Sequence, residues 1–227
     1  MGDHMPLALL EADRRTTREQ VYEALRRGIL GGALEAGIRL IQTEVADALG
    51  VSTTPVREAL RDLAAEGLVR FDDYRGAVVQ RPNLADIREI YNLRIVLEPA
   101  AIRQSLANLT DEELTRATDL QDLMDEERDL GVWVELNNRF HAVFDDSKSP
   151  RMNAILRNLR DSAALVVGFS NRVRPTLIDA SNRQHHLLLK ACRDHDGESA
   201  AKIVEEHVRE TLEAMERYFA EASDPQR

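Results

Sequence analysis

Apolar side chains recur every three or four residues along most of this chain, and that spacing predicts helices. The first runs from Thr16 to Ile29, with Val21, Leu25 and Ile29 on one face and Tyr22 beside them. Thr16 with Glu19, or Thr17 with Gln20, supplies a capping box at its start. Gly31, Gly32 and Gly37 then interrupt the chain. A short amphipathic helix is predicted over Thr43 to Leu49, and Gly50 turns it into another. There Val56, Leu60, Leu63 and Ala64 fall at i, i+4, i+7 and i+8. Thr54 is the expected cap and Pro55 the first helical residue, where its missing N–H costs nothing. Leu68 to Phe71 and Ala77 to Gln80 read as two strands, closed by a turn with Arg75 and Gly76 near its tip.

From Leu84 onward no strand pattern appears, and helical periodicity runs almost to Ala222. Six segments are predicted: Leu84 to Leu106 with a kink near Pro99, Thr110 to Asp129, Gly131 to Asp146, Pro150 to Asn171, Thr176 to Asp194, and Gly197 to Ala222. Pro, Gly and a second capping box, Thr110 with Glu113, mark the breaks. The expected fold is mainly α: an N-terminal winged helix-turn-helix and a C-terminal six-helix all-α bundle. The divisions are a leader over 1–15, the winged helix over 16–82, the bundle over 83–222 and a tail over 223–227. Arg81-Pro82-Asn83 is too short a linker to let the two parts roam.

Composition narrows the partners. The 227 residues suit one or two domains, and no stretch is long enough to span a membrane. Met1 to Met5 resembles a leader added for expression and lacks a signal peptide's apolar core. The single cysteine, Cys192, allows no internal disulfide, which suits the cytoplasm, and reads as a buried small side chain. The net charge of −10 excludes a generally basic, nucleic-acid-coating protein. Residues 1–82 hold 11 basic and 13 acidic side chains, the remainder 19 and 27, so the acidity sits in the bundle. DNA binding must then come from a local patch, doubled by dimerisation.

The helix starting near Thr54 supplies such a patch. Ser52, Thr53 and Thr54 cluster at its N-terminus, and Arg57 and Arg61 lie one turn apart off its apolar face. Hydroxyls, free N–H groups and an arginine one turn in can meet a phosphate or a base edge. The motifs around it are Gly32-Ala33-Leu34, Glu44-Val45-Ala46, Leu49-Gly50-Val51-Ser52, Pro55-Val56-Arg57-Glu58-Ala59-Leu60 and Glu66-Gly67-Leu68-Val69, with Gly76 in the hairpin. Over about residues 17 to 81 this run resembles the winged-helix domain of GntR-family transcription regulators. The resemblance implies DNA contacts from Thr43, Ser52, Thr53, Thr54, Arg57, Arg61, Arg75 and Gly76. Many members carry arginine where this chain has Thr53, so the contact there differs.

A second constellation lies in the bundle. Asn137 and His141 share a helix face at i,i+4. His185 lies about ten residues before the last interhelical turn and His207 about eleven after it, so an antiparallel hairpin sets the two rings side by side. Three neutral imidazoles and an amide oxygen suit a borderline divalent ion; buried core histidines without an ion are the plain alternative. Arg94 sits inside an apolar helix face and needs an anionic partner. An internal carboxylate would serve, as would a ligand's carboxylate held bidentately. Arg94, Leu97-Glu98, Phe140-His141, His185, Asp196 and His207 resemble the C-terminal ligand-binding domain, FCD, of FadR-type GntR regulators. Six helices suggest its VanR-like branch. That resemblance implies a metal held by His141, His185 and His207, with Asn137 where relatives have Asp. Zinc is the first choice of ion, with nickel or manganese as alternatives. It also implies an effector carboxylate on Arg94, to which Asn171 and Arg172 are added.

The sequence thus reads as a metabolite-responsive regulator, a homodimeric repressor on a palindromic duplex operator, and not an enzyme. Two rivals stand beside it: a metal-dependent hydrolase with an appended DNA-binding domain, and a direct metal sensor. The hydrolase lacks a general base, because an amide at Asn137 cannot accept a proton.

Overall fold

The computed structural model describes residues 16–72, 76–146 and 148–222. The predicted leader, Arg75 and the tail lie outside them. Helix α1 spans Thr17–Gly31. Its capping box uses Thr16: the Glu19 N–H donates to Oγ1 at 3.2 Å, and Glu19 accepts the Thr16 N–H at 2.7 Å. Gly32 ends it in the left-handed region, φ 85°, which favours glycine. Strand β1 is Arg39–Leu40, α2 is Gln42–Leu49 and α3 is Thr53–Ala65. Strands β2, Val69–Asp72, and β3, Gly76–Val79, form an antiparallel hairpin, and β1 adds to β3 to give the order β1-β3-β2. Val56, Ala59, Leu60 and Leu63 of α3 are fully buried against α1 and the sheet.

Two details differ from expectation. The sequence reading has no β1, because two residues carry no period. Helix α3 begins one residue before the expected Thr54 cap. Its N-cap is Ser52, by backbone conformation and without a side-chain hydrogen bond, and Pro55 is its third residue. Proline is tolerated there because first-turn N–H groups lack helical partners anyway.

The remainder is helical among the described residues. Helix α4, Leu84–Leu106, runs through Pro99 and is capped by Asn83, which accepts the Asp86 N–H at 2.9 Å. Helix α5 is Asp111–Glu126, α6 Leu130–Val143, α7 Pro150–Val173, α8 Thr176–Arg193 and α9 Gly197–Ala222. Helix α5 stops short of Asp129 because that residue caps α6, accepting the Val132 N–H at 3.0 Å. Helices α8 and α9 form the expected antiparallel hairpin, and α4 packs along α9.

The winged helix is not a free body on a linker. One buried apolar cluster runs from Leu25, Ile29 and Leu30 of α1 to Trp133 of α6 and Leu165 of α7. Helix α1 meets α6 and α7 at two glycines. A Cβ on Gly131 would lie 2.6 Å from the Arg27 carbonyl oxygen, and one on Gly168 would lie 2.4 Å from that of Leu30. Only glycine lets the backbones come this close.

Gly168→Ala should therefore push α1 off the bundle and destabilise the protein by roughly 1–3 kcal/mol. Gly197→Ala, whose Cβ meets nothing within 4 Å, should not. Urea unfolding of both variants checks this. Equal stability would show that the contact is readily relaxed.

Candidate DNA face and buried histidine centre

The described residues of the expected DNA face lie at the surface. Thr43 on α2 and Ser52, Thr53, Thr54, Arg57 and Arg61 around the start of α3 are all exposed. The uncapped N-terminus of α3 leaves the Ser52 hydroxyl and the first-turn amides available. Gly76 is exposed at the start of β3 with φ 72°. Arg18, which sequence reasoning did not single out, is engaged by Asp62 of α3 at 2.6 Å, so it orients the helix rather than offering a free charge.

Inside the bundle the three histidines converge. His141 comes from α6, His185 from α8 and His207 from α9, all buried. Ring centroids are 5.1 Å apart for His141–His185, 5.2 Å for His141–His207 and 4.9 Å for His185–His207. One nitrogen of each lies within 4.8 Å of the others. Tetrahedral ligands about 2.1 Å from one ion stand about 3.4 Å from each other, so the three donors close on an ion by drawing together by at most about 1.4 Å. Burial, then its neighbours His185 and His207, holds His141 well below the usual imidazole range. His185 is lowered likewise, by burial and then His207. Burial and then Arg94 push His207 down to about 4. All three are neutral at pH 7 and therefore lone-pair donors.

Which nitrogen donates is fixed by residues that sequence reasoning missed. Gln121 of α5 places Oε1 2.8 Å from His185 Nδ1, and its amide N–H donates to Asp125 at 2.8 Å. Gln184 of α8 places Oε1 2.9 Å from His207 Nδ1 and donates to Glu210 at 2.8 Å. A carboxylate only accepts, so it turns each amide's NH2 toward itself and the amide oxygen toward the ring. The amide oxygen in turn requires a proton on Nδ1, which leaves the Nε2 lone pair free. His141 Nε2 and His185 Nε2 are buried with no hydrogen-bond partner among the described residues. The donor set therefore fits a divalent ion. The signal for Gln121 was present in the sequence: it interrupts the apolar stripe Ala117, Leu120, Met124.

A narrow chamber adjoins the histidines, with a free volume of about 10 Å³. Tyr91, Arg94, Trp133, Asn137, Asn171 and His207 are among its walls. Four of its buried polar atoms have no partner among the described residues: Tyr91 OH, Trp133 Nε1, Asn137 Oδ1 and Asn171 Nδ2. Buried polar groups left this way mark places where water, an ion or a ligand belongs. Arg94 has the internal partner: its Nε donates to Glu98 at 2.7 Å, both groups buried. The expectation for Arg172 needs correcting. Consecutive helical residues point about 100° apart, so Asn171 faces the chamber while Arg172 turns to α1. There its Nη1 donates to the Leu30 carbonyl at 3.5 Å beside Gly32.

Comparison with known proteins agrees with both halves. Residues 17–79 match the family described as bacterial regulatory proteins, gntR family, and residues 89–210 match the FCD domain. The chain is 26% identical to the HTH-type transcriptional repressor RspR of Escherichia coli (strain K12), covering 91% of this chain and 92% of that protein. It is 26% identical to an uncharacterized HTH-type transcriptional regulator, YdhC, of Bacillus subtilis (strain 168), over 90% and 93% of the two. Among solved structures, E. coli McbR/YncC superposes with a TM-score of 0.73 at 24% identity, covering 90% of this chain and 99% of that one, which supports the fold. These relatives are regulators rather than enzymes, and the hydrolase alternative falls with them. The chain belongs to the gntR family of bacterial regulatory proteins, as a transcription regulator that joins a DNA-binding helix-turn-helix to an FCD domain.

Proposed function

We propose that this regulator is a cytoplasmic homodimeric repressor that grips a palindromic operator and loosens its hold when a small carboxylate enters the bundle. The DNA-binding part spans 16–82 and the sensing part 83–222. The observation that carries the reading is the set of orphaned polar atoms around three neutral imidazoles, buried in a protein whose other half binds DNA. His141, His185 and His207 would hold a divalent ion, zinc first, with Asn137 Oδ1 completing the set. The ion would supply a fixed positive charge beside the chamber. Tyr91, Trp133 and Asn171 offer hydrogen-bond donors to an anion there, with the Arg94 guanidinium alongside.

Dimerisation has a surface to use. Leu93 and Val96 stand one turn apart on α4, 46% and 69% exposed, on a helix whose opposite face is already buried. A helix apolar on both sides wants a second partner. Coupling runs through packed helices as well as through the linker. Trp133 and Asn137 share α6 with Gly131, and Asn171 shares α7 with Gly168, so chamber and α1 contacts lie on the same two rods.

Arg57→Ala should weaken operator binding by roughly 1–3 kcal/mol. The affinity of the wild type should also fall steeply with salt. Fluorescence anisotropy at several ionic strengths checks both; unchanged affinity in the folded variant would remove Arg57 from the interface.

His207→Ala should lose the ion, and Gln184→Leu should weaken it by about 10- to 100-fold by releasing the tautomer. Calorimetric zinc titration with elemental analysis reads both. Zinc held by His207→Ala as tightly as by the wild type would sink the metal reading.

A further inference from the structure

A second space lies where α1 of the DNA-binding half meets the bundle. Tyr22 and Arg26 of α1, three residues of α6 and Asp161 of α7 stand in its walls, and its free volume is about 270 Å³. The α6 residues are Glu135, Asn138 and Arg139, at i, i+3 and i+4, so one helix face lines it. This cleft shares no wall residue with the chamber beside the histidines. Arg139 and Arg157 are exposed in its walls, so it is reached from solvent.

Several of its charges are already engaged. Arg26 Nε donates to Glu66 at 3.1 Å, and the Tyr22 hydroxyl donates to the other oxygen of the same carboxylate. Arg160 is held by Asp145 at 2.5 Å, and Arg157 reaches that carboxylate at 3.4 Å. Three groups have no hydrogen bond or ion pair among the described residues: the Asp161 carboxylate, the Arg139 guanidinium and the buried Nδ2 of Asn138. Burial, then the Glu66 carboxylate, holds the half-buried Asp161 above the usual carboxylate range, in spite of Arg26, Arg160 and Arg157 nearby. A carboxylate so placed lacks a cation of its own. Arg139 lacks an anion, and the Asn138 amide N–H lacks an acceptor.

We propose that this cleft is a second ligand site, and that it takes a small zwitterion of the α-amino-acid kind. The ligand's ammonium lies on Asp161, with Glu135 alongside, and its carboxylate on Arg139 and the Asn138 amide. A simple anion would leave Asp161 unpaired, and a simple amine would leave Arg139 and Asn138 unpaired. A molecule with both charges satisfies all three. Bound there, it touches α1 on one side and α6 and α7 on the other, so it favours the docked arrangement of the two halves. The site stands apart from the metal-and-effector reading, and neither needs the other.

The test is a thermal-shift screen of the full-length protein with the common L-amino acids, one at a time, followed by calorimetry of those that raise Tm. At least one should bind. Its N-acetyl and carboxamide derivatives each lack one charge, and each should bind about 10- to 100-fold more weakly, the worth of a charged hydrogen bond. Asp161→Asn and Arg139→Gln should each cost a similar factor, and His207→Ala should bind as the wild type does. Asp161→Asn removes an unpaired, half-buried charge, so the ligand-free variant should be at least as stable as the wild type; should it fail to fold, Arg139→Gln, at an exposed position, carries the test. Failure of every amino acid to bind overturns the proposal. So does undiminished binding by either variant or by either derivative. Binding lost in folded His207→Ala places the ligand in the chamber and overturns it as well, leaving the effector reading standing.

Discussion

The close approach of α1 to α6 and α7 is the contact on which the two halves depend. A helix normally keeps about 8–10 Å from its neighbour's axis because side chains intervene. At Gly131 and Gly168 nothing intervenes, and the carbonyls of Arg27 and Leu30 rest where a Cβ would otherwise sit. The consequence is an apolar cluster that runs through both halves, beside a second one held between α4, α7 and α9. Arg172 reinforces the contact, putting a cation on the C-terminal end of α1, where the helix dipole favours one. The first helix of the DNA-binding half is in effect a member of the bundle's outer layer.

The bundle's interior carries the opposite kind of constraint. Three imidazoles, several amides, an indole N–H and a phenol are buried there, and many of their polar atoms lack partners among the described residues. Each such group weighs against folding by roughly 1–3 kcal/mol. What surrounds them is rigid: Phe140 stacks on His185 at 4.4 Å between ring centroids, and the Gln121 and Gln184 bridges hold two rings in place. His185 and His207 are preorganised as donors, so little ordering of these rings remains to oppose the binding of an ion.

Much of this was legible in the sequence. The capping box at Thr110 gave α5 its true start, the choice between Thr16 and Thr17 bracketed that of α1, and equal distances from the α8–α9 turn set His185 beside His207. Other features were out of reach for physical reasons. Ser52, Thr53 and Thr54 are equally eligible caps, and the helix uses Ser52 by backbone alone, a choice no side-chain preference marks. The partner of Arg172 lies 142 positions upstream, and no local pattern links it to Leu30. Arg94's need for an anionic partner was readable, with an internal carboxylate or a ligand's left open; that Glu98, one turn on, takes the internal role shows only in the structure. Gln121 was visible as a polar interruption, but its task appears only when α8 brings His185 within 2.8 Å.

The narrowness of the chamber joins the two constraints. Its free volume of about 10 Å³ is near the least that holds an ordered water. A carboxylate with a carbon skeleton does not fit unless its walls move. Side chains alone give limited room, because Trp133 and Tyr91 are large, fully buried and packed. The remaining freedom is in the helices. Trp133 is two residues from Gly131 and Asn171 three from Gly168, about 3 and 4.5 Å along their axes. A shift of α6 or α7 large enough to admit a ligand therefore displaces one of the two backbone contacts on α1 by a comparable amount. Those contacts have no side chain to bend and absorb the change. The ligand can alter the DNA-binding half only by the difference in its affinity for the two arrangements. A chamber too small in one arrangement and large enough in the other makes that difference large, and this is the sense in which a cramped site serves a switch better than an open one.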